Sequence, residues 1–455
     1  MERALAGEAV DAGELYERGR ALREQSPPAE HDVANPKRPG VLEFIEAGNE
    51  GRVADLIPLR IGRMVASPFA FFRGSAGLMA ADLAGTPDSG LSAQLCGDAH
   101  AANFGLYGTS DGQIVMDIND FDETITGPWE WDLKRLAASL VLAGRDGEVS
   151  EEDCLEAAED AAKSYRRTIR GLAELPLLRS WNALPDASAL DKAKADDLAD
   201  EFAEAEEKAR KNTSARVSAK WTQHIEDHYT GVRRHRFVAD PPIPRHVDEA
   251  TADAVFAGLV SYVDTLRESR RELISRYRVA DIAFRVVGTG STGLRSYVAL
   301  LHGNTDEDLV LQVKEARPSS LAPYLPAQPA RHEGERIVHG ARRVQAETDI
   351  LLGWTTIEGR PFIVRQFRNM KGSIDPTELK GKDLDDYGRL AGALLARAHI
   401  RSIHPQLLAG YFDGDEGLDE SIGRYGLRYA DQVKADHAEL VRAVEDGKFE
   451  ALEGV

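Results

Sequence analysis

The sequence predicts an α+β fold, with a large, mainly helical part and a small antiparallel β part. Three observations predict it. Apolar residues recur at helical spacing through 129–147, 150–173 and 383–402. The runs IAFRVVG, RSYVALLHG and DLVLQVKEA follow one another from residue 282 as hairpin-forming strands. The proline-rich connector VADPPIPRHVD, 238–248, separates the two patterns and marks the expected domain boundary.

Residues 1–50 read as an N-terminal arm, because EQSPPAEHDVANPKRPG combines proline with charge. Residues 51–248 form the expected helical part. One helix stops before Pro68 and a second runs through LMAADLA to Gly85. LSAQLCGD and GQIVMDINDFD are short strand-like runs, with NFGLYGTSDG between them as a turn. Ser150 followed by Glu151, Glu152 and Asp153 is a helix start, since a hydroxyl cap and an acidic first turn suit the exposed amides. The charged stretch 186–235 reads as a solvated helical insert. Residues 249–382 form the β-rich part, with helices expected at 250–278 and 333–352 and a strand at PFIVRQF. Residues 383–455 return as helices, 383–402 and 419–447, expected to pack on the large part.

The chain has 455 residues and a formal charge of −20, from 56 basic and 76 acidic side chains. That balance argues against a chain-wide electrostatic grip on nucleic acid or an anionic membrane, and leaves room for a local basic cleft. No apolar run approaches the roughly 20 residues of a membrane helix, and the amino terminus lacks the apolar core of a signal peptide. With only Cys96 and Cys154, a disulfide framework is not expected and a reducing cytoplasm fits. The oligomeric state is not legible.

Three constellations could carry chemistry. In CGDAHAAN, Asp98 and Asn103 lie five residues apart on a loop leaving a strand. The carboxylate could take a proton from an attacking hydroxyl while the amide ligates a metal; the plainer reading is a turn whose side chains cap amides. In DINDFDE, four acids follow an apolar strand within seven residues, 117–123. Crowded carboxylates repel one another but suit a divalent cation, which takes hard oxygen ligands. In GTGSTG, Gly288, Gly290 and Gly293 allow backbone amides to approach phosphates. The residues that follow alternate as a strand rather than a helix, so this is a glycine-rich hairpin and not a dinucleotide-binding turn. The next strand carries Lys314, placed to reach the phosphates of a nucleotide. The cluster Phe69, Phe71 and Phe72 reads as core, with Arg73 beside it as a candidate for a phosphate pocket. No P-loop, zinc-protease, zinc-finger or nucleophile-elbow pattern occurs. Asp413, Asp415 and Glu416 read as a charged turn rather than a calcium loop.

Taken together, these motifs resemble the protein-kinase-like fold, in the version of the aminoglycoside and choline kinases. The resemblance implies an ATP- and Mg²⁺-dependent phosphotransferase acting on a small molecule. It makes Asp98 and His100 catalytic, and Asn103, Asp120 and Asp122 metal-binding, with Asp117 an alternative to Asp120. Gly288, Gly290, Gly293 and Lys314 would hold the nucleotide. Glu335 would be the lysine's partner on the helix HEGERIVHGARRVQAETDILLGW, with Glu347 as the alternative. Trp131-Asp132-Leu133 resembles a helix start that follows the metal loop in aminoglycoside kinases, with Asp132 bracing it. Asp122 and Glu123 would suit a cationic acceptor.

The order of parts differs from those kinases. The catalytic and metal loops at 96–122 precede the glycine turn, and LLARAH, 394–399, resembles the helix that ordinarily leads into the catalytic loop. A circular permutation of the two-lobe fold is the expectation. Cys96 also stands where those kinases carry His. At finer grain, RIGRMVASPFAFFRGSAGLMAADLAG, QLCGDAHAANFG, DINDFDETITGPWEWDLKRLAAS, VVGTGSTGLRSYVALL, LQVKEA and YADQ resemble the bacterial family domain of unknown function 2252. Two other functions remain open on the same fold: a catalytically inactive nucleotide-binding regulatory or scaffold protein, and an AMP transferase.

Overall fold

In the computed structural model, residues 11–32, 38–182, 193, 195, 198–226, 233–239, 245–286, 288–303, 307–414 and 417–452 are described. The expected Asp415 and Glu416 turn, and parts of the arm, the insert and the proline-rich connector, lie outside them.

The described residues of the amino-terminal segment include two helices and a short 3-10 turn, Pro28–Asp32. Asp11 accepts from the amide of Gly13 at 2.8 Å and starts α1, Ala12–Gln25. Helix α2, Val41–Asn49, buries Val41 and Ile45. Helices α3, Ile57–Val65, and α4, Ala76–Leu83, flank a single turn at Pro68–Phe72 whose three phenylalanines are core, as expected.

Strand β1, Ser92–Leu95, skips its neighbours and later pairs with β4. Strands β2, Phe104–Gly108, and β3, Ile114–Ile118, form a hairpin in between. NFGLYGTSDG is therefore not all turn. Its FGLYG half pairs against IVMDI and is buried along its whole length, which offsets the poor strand propensity of its glycines. Strand β4, Ile125–Pro128, closes back on β1, so the residues between them form loops at one edge.

Helix α5, Trp129–Asp146, is buried nearly all round, beneath α6, Glu151–Ala173. Ser150 caps α6 by accepting from the Asp153 amide at 3.1 Å. Within the insert, α7, Ala199–Arg210, and α8, Ser214–Trp221, are helical, but the segment ends in a hairpin of β5, Thr222–Glu226, and β6, Arg233–Phe237. The helical expectation for 186–235 is thus corrected at its C-terminal end, where pairing between strands replaces helix. Asp308 pins this hairpin to the β part: it accepts from His235 Nδ1 at 2.9 Å and from His302 Nδ1 at 2.5 Å.

Strands β7, Arg245–His246, β8, Arg278–Phe284, β9, Ser296–His302, β10, Asp308–Glu315, β11, Gly353–Ile357, and β12, Arg360–Gln366, form one antiparallel sheet in the order β11-β12-β10-β9-β8-β7. Two of the three expected strands stand where expected, with Lys314 opposite Ser296 and Ile363; the first, expected as IAFRVVG, instead runs Arg278–Phe284, and the helix expected over 250–278 stops short of it at Ile274. Helix α8 packs on one face of this sheet and α9, Glu249–Tyr262, on the other. Helix α10, Glu333–Val344, is shorter than expected, because Gln345 turns extended. The freed residues lead into β11, a strand the sequence reading missed. Helices α11, Lys382–His399, α12, Pro405–Tyr411, and α13, Gly417–Glu445, complete the chain.

One hydrophobic core runs from Val41 to Leu440, so the two ends of the chain share it; a second core fills the β part. The approach of α11 to α6 is set by sequence. Cβ atoms at Gly388 and Gly392 would lie 2.7 Å and 2.1 Å from the carbonyl oxygens of Ala157 and Ala161, so only glycine fits there. Among the described residues, no helix is long and apolar enough to cross a membrane.

Candidate functional site

The loop after β1 is shaped by a residue far along the chain. Gly97 takes φ +82°, and a Cβ there would sit 2.3 Å from the Glu123 carbonyl oxygen. Asp132, on the first turn of α5, accepts from the amides of Cys96 at 2.8 Å and Gly97 at 3.1 Å. His399 approaches the same carboxylate at 3.4 Å and Tyr165 at 2.8 Å. The bracing role expected for Asp132 is thus directed at the loop. With the loop so fixed, the Asn103 amide donates to the Asp98 carbonyl at 2.7 Å, which leaves its side-chain oxygen for other partners.

Asp98 lines a cleft of about 650 Å³ between the helical part and the sheet. Its carboxylate accepts from Arg135 Nε at 2.6 Å, and His100 Nε2 lies 3.7 Å away. Burial raises the Asp98 pKa, while Arg135 opposes the rise. Burial, with Arg73 and Arg135 nearby, holds His100 well below the usual histidine range, so its ring is neutral.

The acidic loop and Lys314 meet in this cleft. Lys314 is buried, forms an ion pair with Asp122 and lies 3.8 Å from Asp120. Asp120 is 38% exposed at its side chain. Although burial opposes it, the field of Lys314 and Arg365 holds its pKa down to about 2, so it is ionised. Asp117 has another fate. It is fully buried, accepts from Arg397 at 2.5 Å and from the amides of Ile118 and Ala346 at 2.9 Å, and lines no part of the cleft.

Gly288 and Gly290 line the cleft between β8 and β9, and Ser291 Oγ donates to Asp122 at 3.1 Å. Gly293 stands just outside with φ +87°, where the chain turns into β9. The turn is held from below by Arg52, which donates to the Thr292 carbonyl at 2.5 Å and the Gly290 carbonyl at 3.2 Å.

Glu335 does not join this group. Lys314's ion-pair partners among the described residues are Asp120 and Asp122, and neither Glu335 nor Glu347 lines the cleft. Glu335 sits in the first turn of α10, where its amide donates to His332. The helix reaches the acidic loop through Arg336, which donates to the carbonyls of Asp122 at 2.9 Å and Thr124 at 2.5 Å. Nor are Asp122 and Glu123 free for a cationic ligand. Asp122 serves Lys314, and Glu123 accepts from the Ser320 amide at 2.6 Å and hydroxyl at 2.9 Å.

Of the cleft's cations, the sequence reading named Lys314 and Arg73 and missed the rest. Arg285, Arg365, Arg368 and Lys371 line the cleft at the end of the sheet. Burial beside Arg365 pushes the Lys371 pKa down to about 7. Arg52, Arg60, Arg73 and Arg317 line the same cleft. In a chain of net charge −20, the cleft gathers many cations, alongside Asp98, Asp120, Asp122, Glu123 and Glu315. Arg135 carried a signal, three residues after Asp132 on one helix face; the others are scattered.

Residues 52–443 match the family described as an uncharacterized protein conserved in bacteria, domain of unknown function 2252. The chain belongs to this family. The match spans every residue placed in the cleft here from Arg52 to Lys371, so the site of this family-2252 protein lies within the family's shared region. No curated protein and no solved structure matches the chain.

Proposed function

We propose that this protein is an ATP- and Mg²⁺-dependent phosphotransferase of permuted kinase-like fold, acting on a small-molecule acceptor. One observation carries the reading. Residues that the sequence holds apart, Asp98, Asn103, Asp120, Lys314 and the glycine turn, line or border one cationic cleft.

The donor set fits the groups the reaction needs. A divalent cation takes hard oxygens, and Asp120, ionised and partly exposed, offers them beside the free amide oxygen of Asn103. Asp122 is the weaker ligand, since Lys314 engages it. The cation would neutralise phosphate charge. Lys314, Arg365 and Lys371 would bind the triphosphate from the sheet side, under the Gly288–Gly290 turn. In the transfer, the acceptor's hydroxyl oxygen bonds to the γ-phosphorus. The bond from that phosphorus to the β–γ bridging oxygen breaks, ADP leaves, and the hydroxyl proton passes to Asp98. Arg135 orients the Asp98 carboxylate. His100, neutral and nearly enclosed, supports the loop wall.

The late helix α11 supports the permuted reading. Its final turn packs behind both loops, with Arg397 on Asp117 and His399 on Asp132.

The test is calorimetry with MgATP. Wild type is expected to bind, and Lys314→Met and Asp120→Asn to lose about tenfold or more in affinity, since each removes a charge contact to the triphosphate or its metal. No heat with wild type in the presence of Mg²⁺ overturns the reading.

A further inference from the structure

Resting on that reading of the cleft, we infer that the acceptor is itself an anion, whose phosphate or carboxylate group is held by Arg60 and Arg73 in the same cleft.

Four of the carboxylates lining the cleft already have partners. Asp98 is bonded to Arg135, Asp122 to Lys314, Glu123 to Ser319 and Ser320, and Glu315 to Arg295. None of these pairings reaches Arg52, Arg60, Arg73 or Arg317. Among the described residues, none of those four arginines forms an ion pair. Arg52 donates to the carbonyls of Gly48, Thr292 and Gly290, and Arg317 to the carbonyl of Glu50 at 2.7 Å. These are neutral partners, although the more distant carboxylates of Glu123 and Glu315 partly offset the charge of Arg52.

Arg60 and Arg73 are the sharper cases. Arg60 is 2% exposed, and among the described residues its one side-chain bond runs from Nη1 to Asn49 Oδ1 at 2.9 Å. Its Nε is buried without a partner, and so is Arg73 Nε. A buried guanidinium N–H without an acceptor costs free energy that a bound anion restores. Arg73 also lies close enough to influence both Asp98 and His100. An anion on its guanidinium would therefore sit beside the proton acceptor, where the body of an acceptor must lie.

The electrostatics agree. Burial, then Arg60 and Arg317, hold the pKa of Arg52 down to about 9, and burial and Arg317 hold Arg60 down to about 10. Like charges have been gathered where water is scarce. A folded chain keeps such an arrangement when a counter-charge joins it. The wall here is built by α2, the Arg73–Gly77 segment and residues from 317–324, and it meets the glycine turn, where a Cβ at Gly290 would lie 3.4 Å from the Arg73 carbonyl oxygen. Guanidinium groups recognise phosphate and carboxylate through paired N–H donors, so the two anions share this chemistry.

The experiment saturates the protein with Mg²⁺ and a non-hydrolysable ATP analogue, then titrates inorganic phosphate in one arm and acetate in the other by calorimetry. Phosphate, acetate or both are expected to bind, and the arm that responds names the anion class. Arg73→Gln and Arg60→Met are each expected to weaken that binding about tenfold or more, the scale of losing a charged hydrogen-bond pair. Analogue affinity should change less than about twofold, a difference well under 1 kcal/mol. Among the described residues Arg73 has no side-chain bond for Arg73→Gln to remove, which separates a loss of binding from misfolding. If the analogue binds and neither anion does, or if both variants bind anions as wild type does, the anionic acceptor is overturned and the phosphotransferase reading stands. If the analogue does not bind, that reading fails. Titration of the protein alone then decides the anion site: binding lost in Arg73→Gln keeps it, and binding unchanged removes it.

Discussion

Replacing Asp117 and Asp120 in turn separates scaffold from site. The two acids sit three residues apart, and the sequence gives either as the metal ligand. In the fold Asp117 is fully buried against Arg397, which is 5% exposed. In Asp117→Ala the Arg397 guanidinium loses its carboxylate, with its Nε and Nη1 already lacking partners, and the amides of Ile118 and Ala346 lose their acceptor. Breaking one side of a buried ion pair costs about 3–5 kcal/mol. With a urea slope of about 3 kcal/mol per molar, the unfolding midpoint falls by roughly 1 M or more. Asp120→Ala removes a partly exposed carboxylate whose contacts are the Asp122 amide at 3.1 Å and Lys314 at 3.8 Å, so its midpoint should move by less than about 0.5 M. Equilibrium urea unfolding, followed by tryptophan fluorescence and paired with MgATP calorimetry, reads both quantities. An Asp117→Ala protein with an unmoved midpoint and no magnesium-dependent binding would refute the reasoning and make Asp117 the ligand.

Three further outcomes are expected. Asp132→Ala strips the acceptor from the buried amides of Cys96 and Gly97 and should cost about 2–6 kcal/mol in the same unfolding assay, from about 1–3 kcal/mol per unsatisfied group; a loss below 1 kcal/mol would show that the loop does not depend on it. Glu335→Ala should leave nucleotide affinity within about twofold, since it lacks contact with Lys314; a tenfold loss would restore the expected pairing. Burial raises the Glu130 pKa from 4.5 to about 7, while bonds from Ser89 oppose it. The folded state therefore holds a proton that the unfolded chain gives up, so stability falls as pH rises through that window. Glu130→Gln should flatten this fall in urea midpoints measured from pH 4.5 to 7.5; an unchanged slope would remove Glu130 as its source.

Local patterns were legible because local forces set them. The Ser150 cap, the α5 and α6 repeats and the glycine hairpin each depend on neighbours a few residues away, and each stands where the sequence places it. Where the reading erred, a distant partner decided. FGLYG looked like turn because of its glycines, yet burial against IVMDI made it a strand. The helix expected to run to 352 ended at Val344, and GWTTI was drawn into the sheet beside β12. The TQHIE and RRHRF runs took a hairpin that Asp308 ties to the β part.

The sequence by itself determined the α+β class, the family and the loop from Asp98 to Asn103, because motif spacing and side-chain period are properties of the chain's order. Only the tertiary structure decided which acid is scaffold, which carboxylate Lys314 meets and what charge the cleft presents. Asp117 and Arg397 are 280 residues apart in sequence, and Lys314 and Asp122 are 192 apart. Electrostatic partnership depends on distance in space and on exclusion of water, and composition reports neither. A chain with an excess of 20 acidic charges can therefore fold its unpaired arginines around one cleft.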